Sequence, residues 1–313
     1  MIKMEYLGVG GMTPPRPAHM TEEEYRAYPA LNSSSLSAFY NKGIYSPDHA
    51  LMTVEFKSYF EYGHQLETMI RDAVKGTDTF HDRFYITELE GKMPDEMIGW
   101  IDNKEDLSEK YVYTQKGDLS GTYKTRHAFL DEAMKNPGKI PVSKSDGELL
   151  KRHTENMTKM EYLGVKVGDI LAKAEWQVPI IWTDEVDGLK RKALLDCIVN
   201  LGDEYLVIDI KTAASFQKFM FMLRDKYVWQ DIHYVEGVNA VMGPAMQMVF
   251  FVASKEAPCL CQPWTIDYGD INWRIAAIEE YRKLCLAYNE WCKIGRPSKG
   301  WLPLQTTKYY PRD

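Results

Sequence analysis

Two aspartates and a lysine, spread over two adjoining apolar segments, are the side chains best placed to do chemistry together. Asp196 lies in Ala193-Leu194-Leu195-Asp196-Cys197-Ile198-Val199, and Asp209 and Lys211 lie in Tyr205-Leu206-Val207-Ile208-Asp209-Ile210-Lys211-Thr212. The polar stretch Asn200-Leu201-Gly202-Asp203-Glu204 separates them. Short runs with β-branched residues around such a break predict two antiparallel strands and a tight loop. If residues 200 and 205 close that loop, Asp196 and Asp209 stand equally far beyond it and oppose each other. Lys211, two residues on, shares the face of Asp209. Opposed side chains lie roughly 5 Å apart at Cβ, and like charges there are destabilising. Both strands are apolar on both faces, so the acids are expected to be at least partly buried, which is costly without a partner. A hard divalent cation among oxygen ligands would remove the repulsion.

Such a cluster suits phosphodiester chemistry. Two carboxylates can hold Mg²⁺ or Mn²⁺, which acidifies a bound water and stabilises charge on the leaving oxygen. A nearby lysine can orient that water or stabilise the developing charge. Taken alone, Asp-x-Lys is also the pattern of a salt bridge on an edge strand. The matched register and the apolar flanks are what favour chemistry.

The elements that must position these residues are legible as periodicities and breaks. Residues 1–30 are Pro-rich and polar and read as an N-terminal arm; a single domain is expected over residues 31–313. Leu31-Asn32-Ser33-Ser34-Ser35-Leu36 predicts a capped helix start running to about Lys42, and Ser46-Pro47 a turn. Phe56, Phe60, Gly63, Leu66, Glu67, Ile70 and Val74 fall at helical spacing over 55–75. Residues 80–145, broken by Gly117, Gly121 and Pro137-Gly138, read as a helical and irregular insertion. Residues 146–172 read as mostly helical. Glu175–Trp182 reads as a strand in which Pro179 implies an edge or a bulge, and Asp184–Gly188 as a turn. Residues 214–242 and 270–293 read as helices, 249–253 as a buried strand, and 259–266 as its partner. The sum is a mixed α/β core with one central sheet flanked by helices. Met4–Val9 recurs as Met160–Val165 with unmatched flanks, so it marks no repeat architecture.

Bulk composition sets bounds. A chain of 313 residues with 45% hydrophobic and 27% charged content is ordinary for a soluble globular protein with a sizeable core. No apolar leader follows Met1 and no stretch reaches the length of a membrane span, so a cytoplasmic location is expected. Five cysteines, an odd number, favour free thiols in a reducing compartment. A formal charge of −7 argues against coating nucleic acid by bulk electrostatics but not against a locally positive site. No Cys precedes Cys197, and Cys259-x-Cys261 with Cys285 and Cys292 lacks cluster spacing, so no iron–sulfur centre is expected. No Gly-rich phosphate loop appears, so no intrinsic use of ATP is expected.

Asp196 and Asp209-Ile210-Lys211, 13 positions apart, precede a Gln230-x-x-x-Tyr234 segment in Trp229-Gln230-Asp231-Ile232-His233-Tyr234. With the Ser-rich helix start at Leu31–Leu36 and Ser46-Pro47, this pattern resembles the PD-(D/E)xK nucleases. It resembles more narrowly the phage and prophage RecE-type exonucleases (exodeoxyribonuclease VIII) and their RecB-like nuclease-domain relatives, over roughly residues 30–305. The resemblance implies a restriction-endonuclease-like α/β core and a Mg²⁺-dependent exonuclease acting 5′ to 3′ on double-stranded DNA ends. It further implies a ring-like homo-oligomer and a single-strand annealing recombinase as partner. The family's helical Gly-x-x-x-His appears here as Gly63-His64-Gln65-Leu66-Glu67, with Glu67 at the His position. Glu67 is therefore carried over as a metal ligand beside Asp196, Asp209 and the Ile210 carbonyl, with His64, one helical turn back, as the alternative. The family's frequent Gly three residues before the first Asp is Ala193 here. By resemblance Lys211 positions the attacking water, and Gln230 and Tyr234 shape the site; a core-facing Tyr with a solvated Gln is the plainer reading of that pair. Strand alternation sends Lys190 and Lys192 to the face of Asp196, where they could meet DNA phosphates or simply end the strand. Glu175 could serve as a general acid or base, or as a solvated strand start. Two other readings stay open: a non-catalytic DNA-binding or assembly module on a decayed nuclease fold, and a structure-specific endonuclease.

Overall fold

Apolar, β-branched segments in the second half of the chain assemble into one five-stranded sheet, and amphipathic helices from both halves cover it. The computed structural model describes residues 20–41, 45–52, 58–269 and 271–298. The first half contributes α1 (Glu22–Ala27), α2 (Ser33–Phe39), α3 (Pro47–Leu51), α4 (Ser58–Lys75), α5 (Phe80–Arg83), β1 (Phe84–Ile86), α6 (Asp95–Asp102), α7 (Lys124–Lys135), β2 (Ile140–Val142) and α8 (Lys144–Lys159). A short hairpin follows, β3 (Glu161–Tyr162) and β4 (Val165–Lys166), and then α9 (Val167–Ala172). The sheet comprises β5 (Glu175–Thr183), β6 (Lys190–Asn200), β7 (Tyr205–Ala213), β8 (Ala245–Ser254) and β9 (Cys261–Trp264), in that spatial order. Between β7 and β8 run α10 (Phe216–Met222), a π-helical turn (Leu223–Tyr227) and α11 (Val228–Val241); α12 (Ile271–Lys293) closes the described chain. Within this sheet all pairings are antiparallel except β7 with β8, and β1 pairs with β2 in parallel. Among the described residues no helix is long and apolar enough to cross a membrane.

Two cores sandwich the sheet. Leu66 and Ile70 of α4, Leu150 and Met157 of α8, and Leu171 of α9 bury Cys197, Val199, Ile208, Ile210 and Phe251 on one face. Phe219 of α10 and Val235, Val238 and Val241 of α11 cover Ile180, Leu195, Val207, Phe250 and Val252 on the other. A third layer, α2 and α12, packs Phe39, Tyr281 and Trp291 behind Trp229 and Ile232 of α11. That helix is thus apolar on both sides because it has neighbours on both. Its close seat on β5 depends on Gly237, where a Cβ would meet Trp182 and Ile180 side-chain atoms at 2.7 and 2.8 Å.

The expected helix over 146–172 is interrupted by the β3–β4 hairpin. Leu163 and Gly164 both adopt positive φ, 51° and 78°, the two-residue turn that joins right-twisted strands without splaying them. The other copy of that hexapeptide, Met4–Val9, lies outside the described residues. The segment read as an arm also contains structure, since Thr21 and Glu24 form a capping box at the start of α1. Residues 80–145 bring α6 and α7 together around Met93, Met97, Trp100, Phe129 and Leu130, a small core of their own.

Lys192 corrects an expectation. Rather than facing phosphates, it is 4% exposed. Its Nζ donates to the carbonyls of Tyr25 (2.7 Å), Arg26 (3.0 Å) and Tyr28 (2.8 Å) at the C-terminal end of α1, where carbonyls run out of i+4 helical donors. Lys190 is exposed at the turn end of β6, opposite Thr183. Replacing Lys192 with Met would remove all three of those hydrogen bonds. Urea unfolding should show a loss of about 1–3 kcal/mol, together with faster proteolysis at α1; an unchanged midpoint would show that α1 is held by other contacts.

Candidate active site

The β6–β7 ladder runs from Asn200↔Tyr205 to Cys197↔Ile208 and then stops. Asp196 and Asp209 occupy the next rung, as counting from the loop implies. The Asp196 side chain replaces the missing backbone bond, its Oδ2 accepting from the Ile210 N–H at 3.2 Å. Beyond this point β7 pairs with β8, while β6 pairs with β5 and, at Arg191, bridges Leu31, so the acids sit where two strands part. Asp209 is 1% exposed. Its Oδ1 accepts from Gln230 Nε2 at 2.6 Å and its Oδ2 is ion-paired with the Lys211 ammonium.

Gln230 is aimed by its neighbours on α11. His233 is neutral, since burial holds it down at about 3. Its ring links Lys192 O (2.9 Å) and the Tyr281 hydroxyl (2.6 Å). Asp231 accepts from Met248 N at 3.2 Å and from the Tyr268 hydroxyl. With those two residues locked, Gln230 and Tyr234, four apart, share the face toward the acids.

Glu67 reaches the cluster from the opposite layer. Tyr62, Leu66 and Ile70 are the buried stripe of α4, and Glu67 sits half-buried at its edge, its Oε1 accepting from Gln177 Nε2. His64, by contrast, is on the exposed side of α4. Gln177 lies across from Asp196 in the β5–β6 register, yet the two form no rung. Its φ is +52°, a left-handed conformation rare for a residue with a Cβ. The consequence is a change of side. Val178, Ile180 and Trp182 face α11 whereas Trp176 faces α4; Ala193 and Leu195 face α11 whereas Cys197 and Val199 face α4. Both strands invert their alternation at this one rung, as a bulge does.

The electrostatics follow from crowding. Burial pushes Asp196 well above the ordinary carboxylate value, and the charges of Asp209 and Glu67 push it further. Burial also raises Glu67, to about 7, against the Gln177 hydrogen bond and the Arg71 charge. Burial would lower Lys211, but Asp209 and Asp196 outweigh it and keep the ammonium charged. Burial and the same two aspartates raise the Tyr234 phenol.

Three carboxylates against one ammonium leave a formal charge that a divalent cation would cancel. The donors are all oxygen, the set that suits Mg²⁺ or Mn²⁺, and Asp209 Oδ2 is buried and faced by the Lys211 ammonium. In this arrangement no three Asp, Glu, His or Cys side chains among the described residues close around a common metal position. Lys211, Gln177 and Gln230 hold the carboxylates instead.

Residues 148–292 match the model of a family described as a PDDEXK-like domain of unknown function (DUF3799). The matched segment spans the five-stranded sheet, α11 and nearly all of α12, and is similar to a PDDEXK-like domain. No curated protein matches the chain. A crystal structure of a protein described as a "Putative exonuclease" from Eubacterium rectale is similar over 92% of this chain and 96% of that one, at 14% identity and a TM-score of 0.43. That likeness is too loose to carry residues from one chain to the other. Asp196, Asp209, Lys211, Gln230 and Tyr234 all fall within the matched PDDEXK-like segment, whereas Glu67 comes to it from α4.

The structure thus gathers Glu67, Asp196, Asp209, Lys211, Gln230 and Tyr234. It leaves His64, Lys190 and Lys192 elsewhere, and it uses the Ile210 N–H on Asp196. Glu175 is exposed at the start of β5. Gln177 went unrecognised in the sequence. Counting rungs from the Asp184–Gly188 turn would have placed it across from Asp196, but nothing in Trp176-Gln177-Val178 announces the inversion.

Two outcomes follow. A carboxyl whose folded-state pKa lies above its unfolded value favours folding at low pH, and that advantage disappears as pH rises. For Glu67 the window runs from about 4.5 to about 7. In chelator, urea midpoints should therefore fall from pH 5 to pH 8, and less in Glu67→Gln; a flat profile would contradict the burial of this acid. Gln177→Gly should fold at least as well as wild type, because glycine tolerates that φ. It should also move the Glu67 inflection to higher pH, because the donor is lost; an unmoved inflection would show that the contact does not act on Glu67.

Proposed function

We propose that the protein is a divalent-metal-dependent nuclease that hydrolyses phosphodiester bonds of DNA. The observation that carries this is the convergence of Glu67, Asp196 and Asp209 with Lys211 at the parting of two strands in a PDDEXK-like core. Asp196, Asp209, Glu67 and the Ile210 carbonyl would hold Mg²⁺ or Mn²⁺, which when bound supplies an acidified water and neutralises charge at the phosphate. Lys211 orients the attacking water and donates to the phosphate oxygen on which charge grows. Gln230 fixes the Asp209 carboxylate, and Tyr234, un-ionised, donates at the rim. Attack by water forms one P–O bond as the bond to the leaving sugar oxygen breaks, giving a phosphomonoester and a hydroxyl.

The spacing of these residues resembles that of RecE-type enzymes. This supports a finer reading: an exonuclease on double-stranded ends, working 5′ to 3′ in phage-type recombination in the cytoplasm, as a homo-oligomer beside a single-strand annealing partner. Linear and covalently closed DNA separate that reading from an endonuclease, since an end-dependent enzyme leaves the circle intact. With Mg²⁺ or Mn²⁺, Asp209→Ala and Lys211→Ala should each lower cleavage by at least ~100-fold. The same ions should raise the urea midpoint of wild type but not of Asp196→Ala. Full activity in either variant would overturn the mechanism. Absence of both cleavage and metal-dependent stabilisation in wild type would favour a non-catalytic module.

A further inference from the structure

Tyr227 carries two ammonium groups on one ring. Lys211 Nζ lies 5.4 Å from its centroid and Lys226 Nζ 5.6 Å. The ring itself is locked, stacked on Phe219 at 5.4 Å and leaning on Phe250 at 5.4 Å. The two lysines differ in what they face. Lys211 is committed to Asp209, whereas Lys226 is exposed and forms no ion pair with a carboxylate among the described side chains. Desolvation of its ammonium end and the Lys211 charge hold Lys226 below the ordinary lysine value, and Asp209 acts the other way. It is therefore within electrostatic reach of the acid cluster while open to solvent. Its backbone belongs to the π-helical turn, a geometry common at functional sites.

The residues just before this turn are unusual for a surface. Phe219 of α10 and Leu223, which opens the π-helical turn, are buried, leaving Met220, Phe221 and Met222 exposed at 42%, 53% and 40%. Single exposed apolar residues need no explanation, but three in succession leave the whole end of α10 apolar beside the Lys226 ammonium, with Phe221 the most exposed of them. Cation next to apolar surface is the complement of a polynucleotide strand, which alternates anionic phosphates with the apolar faces of bases. A protein partner would not require the cation to lie so close to the acids that would hold the metal at the reacting phosphate.

We propose that the end of α10 and the π-helical turn form a platform for the substrate strand, with Lys226 binding a phosphate next to the scissile one and Phe221, flanked by Met220 and Met222, supporting its bases. The platform rests on the nuclease reading, and it names the strand contact of that same site. Binding of a fluorescein-labelled DNA duplex with a recessed end, measured by anisotropy in Ca²⁺ over a range of salt, tests it beside cleavage in Mg²⁺. Lys226→Gln should weaken binding and reduce the slope of log Kd against log salt by ~0.7, one phosphate contact on a single strand. Lys226→Glu should weaken it further. Phe221→Ser should weaken binding roughly tenfold with the salt slope unchanged, the scale of one lost base stack. Metal-dependent stabilisation and urea midpoints should stay at wild-type values in all three. Wild-type affinity and slope in these variants, in a protein that binds and cleaves DNA, would overturn the platform and leave the nuclease reading standing. Wild type that binds without cleaving would overturn the nuclease reading while the binding arms still decide the platform. Wild type that binds no DNA would overturn both.

Discussion

The repulsion among Glu67, Asp196 and Asp209 is the constraint around which the rest of the structure is arranged. Folding brings the three together because hydrophobic burial on both faces of β6 and β7 leaves the acids no other place. What compensates them is assembled from every layer: Lys211 from β7, Gln230 from α11, Gln177 from β5 and the Ile210 N–H from the backbone. None of these neutralises the cluster. One ammonium against three carboxylates leaves the site short of positive charge, so burial, with repulsion from Asp209 added, raises both Asp196 and Glu67. A buried acidic cluster that costs stability in the metal-free protein is what a site kept for cation chemistry looks like, because a fold selected only for stability would carry apolar residues there.

Much of this was legible from residue order alone. The loop at 200–205 sets the register of β6 and β7, and register places Asp196 beside Asp209 by counting. Helical spacing over 55–75 put Glu67 among the apolar positions and left His64 as its alternative; burial in the folded protein separates the two. Pro179 implied an edge strand or a bulge, and β5 is at the edge of the sheet. Other features depended on contacts remote in sequence. The acceptors of Lys192 lie 164–167 positions earlier, in a segment whose Pro-rich composition hides the capping box of Thr21 and Glu24. The β3–β4 hairpin rests on a single Leu-Gly pair inside an otherwise helical pattern. Lys226 carries no mark beyond standing four residues before Gln230.

The inversion of side at Gln177 and Asp196 was illegible for a different reason. Alternation is read by assuming that each strand keeps its period, and the assumption fails at the rung where chemistry is proposed. Local preference favours an extended Gln177, yet the chain holds it left-handed. The cost is of order 1–2 kcal/mol and must be offset by the packing of Trp176 on one face and Val178 on the other. In return the inversion lets Glu67, from the α4 layer, share a site with Gln230, from the α11 layer.

The departures from regular geometry therefore fall in one place. Of the five described non-glycine residues with positive φ, Gln177 alone lies within a strand; Lys104, Leu163, Cys259 and Arg296 are in turns and loops. The β6–β7 ladder stops at the rung before the two aspartates, and the π-helical turn sits between the strand that carries Lys211 and the helix that carries Gln230. Each irregularity alone has a local explanation. Random defects would scatter over the sheet and helices, and selection for stability would tend to remove them. Three that border the same carboxylates are expected only if the cluster's geometry is worth more than the regularity it displaces. The energetic cost and the proposed chemistry thus share an address, and that coincidence ties the fold to the function more tightly than any single residue does.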